Sequence, residues 1–131
     1  MIVSKFGGSC LSDQQSILKV AEKIHHAQKN NEQPVVVVSA LRGKTSYLVD
    51  LFDQMVPASA VDNVDRTRER DLIISTGEQI AAGLLSLAVQ NYGIQAKAYN
   101  AWQLGLRYSS VTSSIHYMDY SRCLKREIDQ G

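Results

Sequence analysis

The chain has 131 residues, 44% of them hydrophobic and 21% charged, with a formal net charge of +1. That length suits one domain with a real core, since a domain of about 150 residues buries roughly two-thirds of the surface its unfolded chain exposes. The balanced charge excludes a disordered chain and a protein that coats nucleic acid.

Two cysteines, Cys10 and Cys123, have neither metal-ligand spacing nor the pattern of a disulfide framework, in keeping with a reducing cytoplasm. Lys5 and the Gly7-Gly8 pair interrupt the N-terminal apolar stretch too early for a signal peptide. The uncharged segment from Gln79 to Ala96 contains Ser86, Gln90, Asn91 and Gly93, and its apolar core is too short to span a bilayer. A cytoplasmic protein with no nucleic-acid or membrane partner is expected.

Ile2 to Asp13 reads as a short strand, a glycine turn and a helix start in succession. Gly7 and Gly8 let the backbone turn sharply and gather N–H groups, Lys5 adds a mobile positive charge, and a helix N-terminus would follow. Such a junction suits a phosphate, although Gly-Gly alone is also an ordinary tight turn. Ser12 is expected to cap the helix with Gln15 in capping-box spacing. Cys10 reads as a small apolar filler, or as a reactive thiol in the loop. Ile17, Val20, Ala21 and Ile24 follow helical spacing, which predicts a helix over 12–28 ended by Lys29-Asn30-Asn31. His25 and His26 are neighbours pointing apart around it and make poor joint metal ligands; no metal site is expected.

Pro34 introduces Val35 to Val38, a β-branched run of the kind expected in a parallel strand covered on both faces. Strand, helix, strand suggests a βαβ unit whose ligands gather at the carboxyl ends of the strands, beside Lys5 and Ser39. Ser39 to Thr45 invites comparison with a Walker A loop. The comparison fails, because the position that requires the first glycine is Val38, inside the strand. Ser39 and Thr45 remain as hydroxyl donors for a small polar ligand, or as plain loop and cap residues.

Pro57 to Arg70 is polar and charged, a connecting region with solvated helical faces. Asp71 to Ile74 leads into Ser75-Thr76-Gly77-Glu78-Gln79, read as a Thr-Gly turn from which a buried helix, Ile80 to Val89, begins. Glu78 in that first turn either stabilises the helix dipole or presents its charge to an ammonium group. Gly93 closes the helix, Ile94 to Tyr99 alternates towards a third strand, and Trp102 reads as core. Tyr108 to His116 is Ser- and Thr-rich and reads as a mobile loop, with His116 a weak catalytic candidate. Asp119 would cap a last helix through Leu124 and Ile128.

Lys5-Phe6-Gly7-Gly8-Ser9, Val38-Ser39-Ala40 with Gly43 and Thr45, and Ser75-Thr76-Gly77-Glu78-Gln79, in this order and spacing, resemble the N-terminal part of the aspartate kinases of the amino acid kinase family. The resemblance covers nearly the whole chain. It implies an α/β fold, a three-layer αβα sandwich on a mainly parallel sheet. It also implies transfer of the ATP γ-phosphoryl group to the β-carboxylate of L-aspartate, giving 4-phospho-L-aspartate for lysine, threonine and methionine biosynthesis. Carried over, Lys5 neutralises the transferring phosphoryl group and the amides of Gly7, Gly8 and Ser9 cradle it. Ser39 and Thr45 hydrogen-bond aspartate, and Glu78 holds its α-ammonium group. ATP would bring Mg2+ with it, and a homo-oligomer is implied.

Departures from the pattern are Cys10, where the family usually has serine, and Arg107-Tyr108-Ser109 in place of a Thr-Asp pair. A complete kinase domain of this family is about twice as long, and regulatory ACT domains normally follow it. Residues 1–131 therefore read as a partial domain, the amino-acid-substrate and phosphate-loop half, expected to be inactive alone. Other amino acid kinases, acting on acetylglutamate, glutamate or UMP, and a non-catalytic interaction or regulatory module with the same fold are the alternatives.

Overall fold

Strands β1 (Ile2–Phe6) and β2 (Pro34–Val38) pair in parallel, in register from Ile2 opposite Pro34 to Phe6 opposite Val38. Parallel neighbours need a crossover between them, and helix α1 (Gln14–Lys29) provides it. The chain leaves α1 through Asn30, and Asn31 takes a left-handed φ of 59°, which asparagine tolerates better than most residues. The computed structural model describes residues 1–56, 64–104, 106–109, 114–117 and 121–129, with side chains over 1–56, 66–104 and 124–129.

Period-two alternation divides the strands between two faces. Phe6, Val36 and Val38 pack against a core made by Ile17, Val20, Ala21 and Ile24 of α1 and by Ala81, Leu85, Ala88 and Val89 of helix α3 (Val64–Gln90). Val3 and Val37 lie on the other strand positions and are 64% and 46% exposed. One face of the sheet is therefore covered among the described residues, where the valine run suggested two. The result is the expected α/β class, with a parallel sheet under a helical layer. Helix α2 (Lys44–Met55) joins that layer by burying Leu48 next to Gly77 of α3.

Helix α3 corrects the sequence reading most plainly. It runs without interruption through Ser75 to Gln79, so Glu78 lies in mid-helix and not in a first turn. The polar residues that suggested a turn are satisfied inside the helix: the Ser75 hydroxyl donates to the Leu72 carbonyl at 2.8 Å and the Thr76 hydroxyl to the Ile73 carbonyl at 2.7 Å. Gly77 serves packing, because a Cβ there would lie 3.0 Å from the Cβ of Ala40. By length and composition α3 could cross a membrane. One side of it packs on α1 and α2, burying Ala81, Leu85, Ala88 and Val89, while Leu72, Ile80, Leu84 and Leu87 are exposed.

After α3, Ile94 and Ala96 pack on the core, but residues 94–99 form no strand. The Ala96 carbonyl accepts from the Ser86 hydroxyl at 3.0 Å and from the Gln90 amide at 2.8 Å, which ties the segment to a helix and not to the sheet. Trp102 is 58% exposed, so it is not a core residue. Part of the expected loop over 108–116 is strand: β3 (Leu106–Ser109) pairs antiparallel with β4 (Ser114–Tyr117), placing Tyr108 opposite Ile115, residues that favour strands. Helix α4 (Ser121–Asp129) matches the expected last helix. Asp119 and the side chains of Arg107, Tyr108, Ser109, His116 and Cys123 lie outside the described residues.

Lys97 donates to Glu127 at 2.5 Å and so ties α4 to the segment after α3. That hydrogen bond, followed by one from Tyr99, holds the Glu127 carboxyl below its ordinary value of 4.5. A depressed carboxyl contributes stability that is complete above its unfolded pKa and is lost as pH falls through the folded one. A 13C titration of the Glu127 carboxyl should give a midpoint below 4.5 that moves back up in Lys97→Met; an unchanged midpoint would show that the pair does not persist in solution.

Gly83 is also inside α3, but a Cβ there meets nothing within 4 Å. Gly83→Ala should therefore stabilise the chain by about 0.5–1 kcal/mol, the ordinary helix-interior difference between the two residues, read as a higher thermal midpoint.

Candidate active site

The parallel pairing places the ends of β1 and β2 side by side, and the ladder continues one step beyond them, with the Ser39 N–H donating to the Phe6 carbonyl at 3.1 Å. Lys5 is exposed in the last turn of the pleat before this point, opposite Val37. Gly7 is extended, with φ −79° and ψ 170°, and opens a short 3-10 helix over Gly8–Leu11. The Cys10 N–H closes that turn on the Gly7 carbonyl at 2.9 Å. Cys10 itself is a free, exposed thiol and not an apolar filler.

Gly8 is the tightest position in the loop. A Cβ there would lie 2.8 Å from the Ala40 carbonyl oxygen, closer than side-chain carbons come to backbone. Gly7, by contrast, has open space where its Cβ would be. One glycine thus lets the two loops touch, and the other leaves room for an incoming group.

Glu78 reaches the same place from α3. Its Oε1 accepts the Ala40 N–H at 3.2 Å in a part-buried setting, and its second oxygen has no protein partner among the described residues. Ala40, directly after Ser39, therefore meets the Gly7-Gly8 loop through its carbonyl and Glu78 through its N–H. Sequence reasoning named Lys5, Gly7, Gly8, Ser9, Ser39 and Glu78 as candidates, and the structure brings the Gly7-Gly8 loop, the Ser39-Ala40 loop and Glu78 of α3 together. It missed Ala40 and the packing duty of Gly77; an isolated glycine inside an otherwise helical pattern was the available signal.

Thr45 stands apart. It is exposed in the first turn of α2, and no hydrogen bond among the described residues ties it to the others. What fixes its position is the preceding turn, in which the Lys44 N–H donates to the Leu41 carbonyl at 2.9 Å and Gly43 takes a φ of 77°. A positive φ at that third position is the type II geometry, which favours glycine.

The cap of α1 also differs from expectation. Asp13, not Ser12, is the N-cap: its carboxylate accepts the Ser16 N–H at 2.8 Å and the Ser16 hydroxyl at 2.9 Å. Those two hydrogen bonds, the backbone one first, hold the Asp13 carboxyl below its ordinary value. Ser12 spends its hydroxyl on the same cluster, against Asp13 and Ser16. The N-terminal end of α1 is thus occupied by its own cap.

Residues 1–128 match the model of the amino acid kinase family. The chain belongs to that family. Over its full length it is 32% identical to an aspartokinase of Bacillus sp. (strain MGA3) and 34% identical to aspartokinase 2 of Bacillus subtilis (strain 168), in each case covering 31% of the relative. The aspartokinase of Rickettsia felis is 38% identical over 79% of the chain and a quarter of its own length. A crystal structure of aspartate kinase from Synechocystis superposes with a TM-score of 0.62 at 40% identity, over 70% of this chain and 15% of that one. The chain thus spans about a third or less of the relatives it matches. Within the amino acid kinase frame, the strand-end cluster is where sheet topology puts a ligand.

Gly43→Ala should cost about 1–2 kcal/mol, the penalty for forcing an L side chain into the left-handed region, measurable as a lower denaturation midpoint. If stability is unchanged, the turn before Thr45 is not held in this geometry.

Proposed function

We propose that this chain is the aspartate-binding and phosphate-loop part of an aspartate kinase, which phosphorylates the β-carboxylate of L-aspartate at the expense of ATP. The observation that carries the reading is the Ala40–Glu78 contact. It brings a carboxylate from α3 to the strand ends occupied by Lys5, the Gly7-Gly8 loop and Ser39, motifs that are separated by up to 73 positions.

In this reading a β-carboxylate oxygen of aspartate attacks the γ-phosphorus while the bond from phosphorus to the bridging oxygen breaks and ADP departs. The carboxylate nucleophile has no proton to lose, so no general base is required, and the protein's work is positioning and charge stabilisation. Lys5 counters charge on the transferring group. The open space over Gly7 and the amides of Gly7, Gly8 and Ser9 suit a phosphate, and Mg2+ would be carried on the ATP phosphates. Glu78 offers its unpartnered oxygen to the α-ammonium group, and Ser39 and Thr45 offer hydroxyls to aspartate.

The reading extends to a cytoplasmic homo-oligomeric enzyme of lysine, threonine and methionine biosynthesis, in which these 131 residues alone release no ADP in the presence of aspartate and ATP. The test is a chimera in which this chain replaces the matching segment of Bacillus subtilis aspartokinase 2. The chimera should turn over aspartate. In it, Lys5→Ala should lower kcat by orders of magnitude with little change in the aspartate KM, because the charge it stabilises grows in the transition state. Glu78→Ala should weaken aspartate binding by roughly 2–5 kcal/mol, the cost of truncating one partner of a buried charge pair. An unchanged aspartate KM in a folded Glu78→Ala chimera would remove Glu78 from the substrate site.

A further inference from the structure

Ala40 is buried, with 5% of its surface exposed, and the Gly7-Gly8 loop and helix α3 both close on it. Its carbonyl oxygen lies 2.8 Å from where a Gly8 Cβ would be, its N–H donates to Glu78 at 3.2 Å, and its methyl lies 3.0 Å from where a Gly77 Cβ would be. Leu48 of α2 shares the last contact at 3.3 Å. Two of these positions are glycines, and at both a side chain would displace Ala40.

We propose that Ala40 is a positioning residue that locks the Gly7-Gly8 loop and Glu78 into one geometry, with Gly8 and Gly77 the sockets that admit it. The consequence for aspartate rests on the kinase reading above; the steric lock itself does not. Glu78 is aimed because the amide it accepts from belongs to a buried residue closely packed against both Gly8 and Gly77. A bulge at Gly77 moves Ala40, and through it both the carboxylate and the loop.

The proposal makes an unusual demand on paired substitutions. Gly77→Ala improves helix propensity, so propensity alone expects a more stable chain, as at Gly83. The lock expects the reverse, because the new methyl meets the Ala40 methyl. Removing that methyl with Ala40→Gly should relieve Gly77→Ala. It should not relieve Gly8→Ala, whose methyl meets the residue-40 carbonyl oxygen, which glycine retains.

The readout is hydrogen exchange of the residue-40 amide in the 15N-labelled chain, for wild type, Ala40→Gly, Gly77→Ala, Gly8→Ala and the two double variants. Gly77→Ala should speed exchange at that amide about tenfold, the scale set by a lost hydrogen bond to a charged acceptor. Gly77→Ala with Ala40→Gly should return towards the rate of Ala40→Gly alone, since the remaining neighbour, Leu48 Cδ1 at 3.3 Å, is the far end of a flexible side chain, and Gly8→Ala with Ala40→Gly should stay fast. In the chimera the aspartate KM should rise and recover in the same order. If Gly77→Ala does not fold, folding of its double variant counts as the same rescue. An unchanged rate in Gly77→Ala, a Gly77→Ala/Ala40→Gly variant no better than Gly77→Ala, or relief of Gly8→Ala by Ala40→Gly overturns the lock. A chimera inactive even as wild type would sink the kinase reading and leave the exchange result to decide the lock independently.

Discussion

Parallel pairing of β1 with β2 is the constraint on which the rest depends. Two parallel strands joined by a crossover helix send both chain exits to the same edge, so the loop after Phe6 and the loop after Val38 must share one small volume. An antiparallel hairpin of the same residues would have put them at opposite ends. The pairing is held by burial on one face, where Phe6, Val36 and Val38 meet α1 and α3. The candidate site thus begins at the residues directly after the partly buried Phe6 and Val38, whose packing brings its loops together.

The long helix α3 performs two tasks along its length. Its C-terminal half supplies Ala81, Leu85, Ala88 and Val89 to the core, small and medium residues that let α1 approach closely. Its middle presents Gly77 and Glu78 to the loop after β2. Because both are on one uninterrupted helix, the depth at which the core packs also sets how far Glu78 reaches.

Much of this was legible in the residues. The apolar spacing of Ile17, Val20, Ala21 and Ile24 gave α1, the valine run gave β2, and the glycine pair gave a tight loop between β1 and α1. What was not legible depended on partners distant in sequence. Gly77 looked like a helix breaker because nothing local announces that Ala40, 37 positions away, needs its missing Cβ. Ser75 and Thr76 looked like turn residues because their hydroxyls can bond either outward or back to their own helix, and only the fold decides. Asp13 and Ser12 are equally good caps by type, and one residue of offset in the chain's entry angle selected Asp13. The alternation of Ile94 and Ala96 was real, but α3 side chains captured the Ala96 carbonyl and no neighbouring strand joined it.

The self-contained cap at Asp13 has a consequence for how such a segment can change over time. Asp13 and Ser12 satisfy Ser16 among themselves, so the start of α1 does not need an anion to be stable. Ser9 and Cys10, the exposed residues of the 3-10 turn between it and Gly7, can therefore be rewritten without unravelling the crossover that keeps the two strands parallel, whereas Gly8 and the buried Leu11 are fixed by packing. Cys10, exposed within that turn, is an example of such latitude. A lineage, or a protein engineer, can change these two exposed side chains one at a time while the scaffold underneath them stays folded.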